Sequence, residues 1–215
     1  MLIRPARYRY SGVSWTWSGN LNNTDQISSW DTIGRDRDSD KVPSRIIYDA
    51  RGEVVGWGFT PKPDGNYYQV QWFKLLLSDE ACQQGGEKVK EAQTQLLTLK
   101  KQPVDVVADY LRQLWLHAIE IIELRLTKIA FDNMDLRIVL TVPANWDLTA
   151  QRRTKQAAVQ AGITARRIPG VPTFKLVTEP EAAALAAWKE AGLQWHPNIK
   201  VELSSVVHSL HTDKM

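Results

Sequence analysis

Two short turns hold the residues best placed to do chemistry. One is Thr141-Val142-Pro143-Ala144; the other is Thr178-Glu179-Pro180-Glu181-Ala182-Ala183-Ala184. Each ends an apolar run that reads as a strand, and each leads into a run that reads as a helix. In open α/β sheets, ligands sit outside the carboxyl ends of the strands, so both turns are expected on one edge, side by side. Glu181, three residues after Thr178, completes a capping box and favours the helix N-terminus electrostatically. Glu179 precedes the proline, outside the helical turn, and can point into a cleft instead. Other groups carry less. His196, His208 and His211 lack an acidic or cysteine partner at ligand spacing, so no metal site is expected. Cys82 lies beside Gln-Gln-Gly-Gly without an obvious base and reads as an inert thiol. Neither a Gly-x-x-x-x-Gly-Lys-Ser/Thr loop nor a Gly-x-Gly-x-x-Gly fingerprint occurs.

The elements that must position these turns can be read from the hydrophobic pattern. Leu136, Ile138, Leu140 and Val142 alternate as a strand ending at Pro143. Asp147 can cap a helix over Leu148–Ala161, with Gly162 at its stop and an inner face of alanines (Ala157, Ala158, Ala161) suited to close packing. Phe174–Val177 reads as another strand, followed by a helix over Pro180–Ala191 that Gly192 ends. Strand–helix–strand–helix over 136–191 makes part of the sheet parallel.

Upstream, Pro103 opens a helix whose apolar residues Val107, Leu111, Leu114, Ala118, Ile121 and Ile122 recur at helical spacing to about Ala130. Residues 78–102 are polar and glycine-containing and read as weakly helical at best. Arg45–Tyr48 and Glu53–Phe59 read as a hairpin around Asp49–Gly52, and Gln69–Leu77 as a further strand. Near the start, Tyr8–Ser18 (YRYSGVSWTWS) alternates as a half-buried strand, with Val13, Trp15 and Trp17 on one face. The preceding MLIRPAR is expected to supply no partner for it, since Pro5 cannot donate to a ladder and two arginines interrupt. Residues 19–40 read as a loop with a short strand at Gln26–Trp30.

Composition sets outer bounds. A chain of 215 residues with 43% hydrophobic and 24% charged content fits a globular protein with a real core. A net charge of +3, scattered rather than striped, argues against a nucleic-acid partner. No apolar run approaches the roughly 18 residues of a membrane span, so no membrane partner is expected. One cysteine rules out an internal disulfide, and the expected address is cytoplasmic.

Taken together, TVPANWDLTAQRRTKQAAVQAGI and LVTEPEAAALAAW closely resemble the ATPase domain of the 70-kDa heat-shock protein family, particularly its divergent fungal members. YSGVSW near the start, KVPSRIIY at 41–48 and WFKLLL at 72–77 extend the resemblance over residues from about 10 to 192, in the family's order and spacing. The resemblance implies an α/β, actin-like (ribonuclease H-like) ATPase fold with a mixed sheet and flanking helices. This chain would hold lobe I alone, over residues 1–192, with 41–102 as an inserted subdomain and 193–215 as an atypical tail. Lys74 matches the family lysine that meets the γ-phosphate and helps place the attacking water. Glu179 matches the glutamate that holds the metal's water shell. Pro143 matches a hinge proline that senses the nucleotide and relays its state. Tyr10, Ser11 and Gly12 match the end of the first phosphate-binding loop. ATP and Mg²⁺ are the implied cofactors, with no metal ligated directly by the chain.

Departures from the family pattern temper this expectation. Arg7, Tyr8 and Arg9 stand where a glycine and two threonines cradle phosphate, and Pro5 stands where an aspartate organises the metal shell. No Asp-x-Gly-Gly-Gly segment, the family's second phosphate loop, occurs anywhere. The expected function is ATP binding of the heat-shock (chaperone) type in a truncated chain, with binding and hydrolysis impaired. The alternative is a non-catalytic interaction protein that docks another polypeptide through its exposed inter-lobe face, or a gene fragment without independent activity.

Overall fold

The computed structural model of the chain describes residues 2–6, 10–16, 24–30 and 40–190. The tail at 193–215, its three histidines, Trp17 and Arg7-Tyr8-Arg9 lie outside the described residues, as does most of the loop at 19–40.

The chain opens with β1 (Leu2–Ala6) and β2 (Tyr10–Trp15), then two short bridging strands, β3 (Asp25–Gln26) and β4 (Val42–Pro43). A hairpin-like trio follows: β5 (Arg45–Asp49), β6 (Val54–Trp57) and β7 (Tyr67–Gln71). After a 3₁₀ turn at Phe73–Leu77 come α1 (Asp79–Gln84), α2 (Gly86–Leu99), α3 (Pro103–Leu126) and α4 (Lys128–Asp132). The last part alternates: β8 (Arg137–Val142), α5 (Leu148–Gln160), β9 (Thr173–Thr178) and α6 (Glu179–Glu190).

These strands form two sheets. The larger runs β3-β2-β1-β8-β9, with β4 also paired to β2; the smaller runs β6-β5-β7 and is antiparallel. In the larger sheet β8 and β9 pair in parallel over six residues, Arg137 opposite Thr173 through Val142 opposite Thr178. That register carries both site turns to the same edge. The architecture is mixed α/β, as the alternating strands and helices of the last third require.

Three segments differ from the sequence reading. Residues 2–6 do form a strand, antiparallel to β2 (Leu2 opposite Ser14) and parallel to β8 at Leu2 and Ile3. Parallel pairing to β8 stops at Ile3, two residues short of Pro5, which is how a residue without an N–H is accommodated in a sheet. Residues 79–99, expected to be weakly helical at best, form two well-defined helices. Ser78 caps the first by accepting from the Ala81 N–H at 3.2 Å. The second buries Val89, Ala92 and Leu96, a helical stripe masked in the sequence by Gly85-Gly86. Finally, the strand expected over Gln69–Leu77 ends at Gln71, because Trp72 takes a left-handed backbone (φ 62°, ψ 6°) and throws the next five residues into a 3₁₀ turn.

Other elements follow their local chemistry. Asp147 accepts from the Ala150 N–H at 2.8 Å and starts α5, and Gly162 (φ +83°) supplies the left-handed stop beyond it. Buried Ala150, Ala157 and Ala158 let α5 lie close against α3. The long helix divides at Thr127 (φ 68°), whose hydroxyl accepts from the Ala130 N–H and begins α4. A single apolar core runs from Val13 and Trp15 through Ile46, Val70, Leu114 and Ala118 to Ile138 and Ile163.

The smaller sheet is tied to α3 by one carboxylate. Asp109 accepts from the Tyr48 hydroxyl (3.0 Å), Lys101 Nζ (2.9 Å) and Arg112 Nη1 (3.1 Å), and Lys101 also lies over the Tyr48 ring. Arg112 in turn donates to the Gln160 carbonyl on α5 at 2.7 Å. Burial and the adjacent carboxylate push the Tyr48 hydroxyl well above the ordinary tyrosine range, so it stays a donor. Asp109→Ala leaves a buried phenol and a partly buried ammonium without their acceptor. It is expected to cost about 3 kcal/mol of stability in urea unfolding, since removing one partner of such a network strands the others.

Candidate functional site

Lys74 is the one cation in the 3₁₀ turn. Its neighbours Phe73, Leu75, Leu76 and Leu77 are all buried, which anchors the turn and leaves Lys74 to lie along the wall they form. Its ammonium is 2.7 Å from Glu179 Oε1, although 105 residues separate the two in sequence. The ammonium also lies 5.5 Å from the ring centroid of Trp146. Lys74's side chain is 11% exposed and Glu179's 36%, so the pair sits at a mouth, with the carboxylate on the outside.

Glu179 reaches this position from α6, and here the sequence expectation is corrected. Glu179 is the first residue of the helix rather than a residue before it. A carboxylate in the first turn is favoured by the helix dipole. The expected capping box is present: the Glu181 N–H donates to Thr178 Oγ1 (3.3 Å) and the Thr178 N–H to Glu181 Oε2 (3.4 Å). Glu181 is thereby committed to the helix end and Glu179 is left for Lys74.

Behind the pair is a cavity of about 40 Å³ between the larger sheet, α3 and α5. Its walls are chiefly apolar, from Phe73, Leu77, Val107, Leu111, Leu140 and Trp146. Ser11, Ser44, Tyr110 and Thr141 add hydroxyls. Ser11 Oγ and Ser44 Oγ are 2.9 Å apart, and the Tyr110 hydroxyl donates to the Pro43 carbonyl at 3.3 Å. Burial pushes the Tyr110 hydroxyl up to about 12. Trp146 Nε1 is buried and meets no hydrogen-bond partner among the described residues.

The site therefore gathers some sequence candidates and not others. Lys74 and Glu179 touch, and Ser11 shares the cavity with Lys74. Pro143 is buried at the end of β8, and its carbonyl accepts from the Trp146 N–H at 3.3 Å, closing the turn that brings Trp146 beneath Lys74. Tyr10 is 41% exposed at the start of β2, and Gly12 is paired with Arg4 inside the sheet; neither lines the cavity. Trp146, Ser44 and Tyr110 were not singled out from sequence. Trp146 carries a signal in hindsight, an aromatic three residues past the strand-ending proline. Ser44 and Tyr110 carry none, since only the fold brings them to Ser11.

No group of three or more histidine, cysteine, aspartate or glutamate side chains able to hold a metal is present among the described residues. No helix among them is long and apolar enough to cross a membrane. No protein-family model matches the chain, and no curated protein matches it.

Burial holds the Lys74 ammonium below the usual lysine range, and Glu179 opposes that by stabilising the charge. Two outcomes follow. In a ¹³C-lysine NMR titration Lys74 should have the lowest midpoint of the lysines, and Glu179→Gln should lower it further. Because the folded value lies below the unfolded one, the unfolded chain binds more protons in the window between them. The desolvation cost is carried in full below the folded value and lifts as pH rises through it. Lys74→Met removes that cost while Glu179 can hydrate, so the variant should melt at or above the wild-type temperature at pH 7.

Proposed function

We propose that the chain is an ATP-binding protein of the 70-kDa heat-shock type, built as one lobe of an actin-like ATPase fold. The observation that carries this reading is the Lys74–Glu179 contact at the carboxyl end of the parallel strands. Both residues were singled out separately, by resemblance, as the phosphate-facing lysine and the glutamate of the metal's water shell. On this reading Lys74 would hold the nucleotide's terminal phosphate and Glu179 would hold a water of Mg²⁺. Bound Mg²⁺ would supply charge neutralisation at the phosphates.

The same contact argues for weak binding. Each partner already has an opposite charge at 2.7 Å, so an incoming phosphate must displace Glu179 before it gains Lys74. The sequence offers no glycine-threonine loop to add backbone donors, and positioning provides most of the rate in phosphoryl transfer. Hydrolysis by the chain alone is accordingly expected to be negligible.

One observation favours a second reading, an interaction protein. Leu116 and Leu124, eight residues apart on α3, and Ile129 on α4 are 54%, 79% and 78% exposed, large apolar side chains of the kind that partners cover.

Isothermal titration with Mg·ATP separates the two. A weak, saturable heat that Lys74→Ala abolishes supports nucleotide binding. The absence of any heat at millimolar nucleotide overturns it, and sub-micromolar binding with turnover overturns the impaired site.

A further inference from the structure

The turn that holds Lys74 is short and has a costly start. Five residues of 3₁₀ geometry follow a tryptophan with a left-handed backbone, a conformation that costs about 1–3 kcal/mol for a residue other than glycine. Short helices also leave their last carbonyls without partners. In this turn Leu77 O is satisfied from a distant element: Arg153 Nη1, on α5, donates to it at 2.9 Å. The same nitrogen is 2.7 Å from Asp79 Oδ1, at the start of α1. Trp146, just ahead of α5, meets the other side of the turn under the Lys74 ammonium. The α5 segment therefore meets the turn twice, through the Trp146 ring at Lys74 and, seven residues later, through Arg153 at the Leu77 carbonyl.

We infer that Arg153 is a positioning residue for Lys74, fixing the 3₁₀ turn through the Leu77 carbonyl so that the ammonium is presented at the mouth of the cavity. The inference rests on the reading of Lys74 as the phosphate-facing group. It differs from a plain surface ion pair in where the strength lies. Asp79 is 68% exposed, and exposed pairs contribute about 0–1 kcal/mol. The donation to Leu77 O, part-buried and charge-assisted, is the contact that holds the turn. The site's state then depends on α5 through Arg153 as well as on the strand end at Pro143.

The test reads the environment of Lys74 without nucleotide. The chain is acetylated with a water-soluble succinimidyl ester across pH 6–10, a range chosen to straddle a lowered lysine, and each lysine's rate is followed by mass spectrometry. Lys155, exposed on the same helix, is the internal reference. Arg153→Ala should raise the Lys74 rate relative to Lys155 about fivefold or more, as the turn opens locally, and should move its pH midpoint up towards the ordinary lysine range. Arg153→Lys, which can still donate to Leu77 O, should restore both values. Asp79→Asn, which spares the carbonyl contact, should leave them at wild type. A Lys74 rate in Arg153→Ala within about twofold of wild type, in protein whose circular dichroism and melt show it folded, overturns the inference. Should Arg153→Ala fail to fold, Arg153→Met, which keeps the packing stem, is judged by the same criterion. Since no nucleotide is present, failure here leaves ATP binding untouched, and failure of the Mg·ATP titration leaves this result standing.

Discussion

A lysine ammonium taken almost wholly out of water needs a counter-charge, and the arrangement of this protein's site follows from meeting that need. Lys74 is held among Phe73, Leu75, Leu76 and Leu77, where an unpaired cation would cost several kcal/mol. Its counter-charge is on α6, more than a hundred residues later. The two can meet only if β8 and β9 run parallel and in register, because that pairing sets where α6 begins. It also requires the chain to leave β7 sharply at Trp72, since a continued strand would carry residue 74 elsewhere. The left-handed tryptophan, the 3₁₀ turn and the parallel register are three solutions to one electrostatic problem.

The second sheet is secured by a comparable device on the opposite side of α3. Asp109 gathers a phenol and two cations, and a cluster of aromatic rings extends the contact. Trp30 stacks on His117 at 5.2 Å, and Trp57 meets Trp30, His117 and Tyr110 edge-on at 5.8–6.3 Å. The heavy tryptophan content of the first third finds part of its use here, as large rings filling the space between a small sheet and a long helix. Tyr110 belongs to both groups. It touches the aromatic cluster on one side and reaches the Pro43 carbonyl beside the Ser11–Ser44 pair on the other. The cavity behind Lys74 is therefore walled by the same helix that carries the second sheet.

What could be read from the sequence was local. The alternation of β8, the Asp147 cap, the Gly162 stop and the Thr178–Glu181 capping box are each decided within a few residues, and each stands where the spacing put it. What could not be read depended on distant partners. Leu2–Ala6 looks unsuited to a sheet because Pro5 lacks a donor, yet it is a strand because β2 and β8 flank it. The stripe Val89, Ala92, Leu96 lies in a polar stretch whose two glycines do not break it: Gly85 separates the two helices and Gly86 opens the second. For the site, resemblance supplied Lys74 and Glu179 singly. Their contact, and the hydroxyls of Ser44 and Tyr110 near it, are products of topology.

The features that local chemistry does not repay concentrate around Lys74. Lys100 also has a left-handed backbone, but it closes α2 in the usual way, accepting no special placement in return. Trp72's left-handed turn instead delivers a cation into an apolar wall. Trp146, in the wall of the cavity that Lys74 lines, leaves an indole N–H without a partner among the described residues, a loss of about 1–3 kcal/mol by the ordinary measure of buried donors. Natural sequences tolerate such conflicts where something other than stability is served. A desolvated ammonium and an unmatched donor in one cavity, beside a strained entry to the turn, are hard to explain as packing, since an aliphatic side chain at position 74 would remove the first. The burial of four neighbouring apolar side chains offsets the strain; it does not account for the charge. What meets that charge is Glu179, at 2.7 Å, so the lysine stays in the apolar wall only because α6 begins where β9 places it.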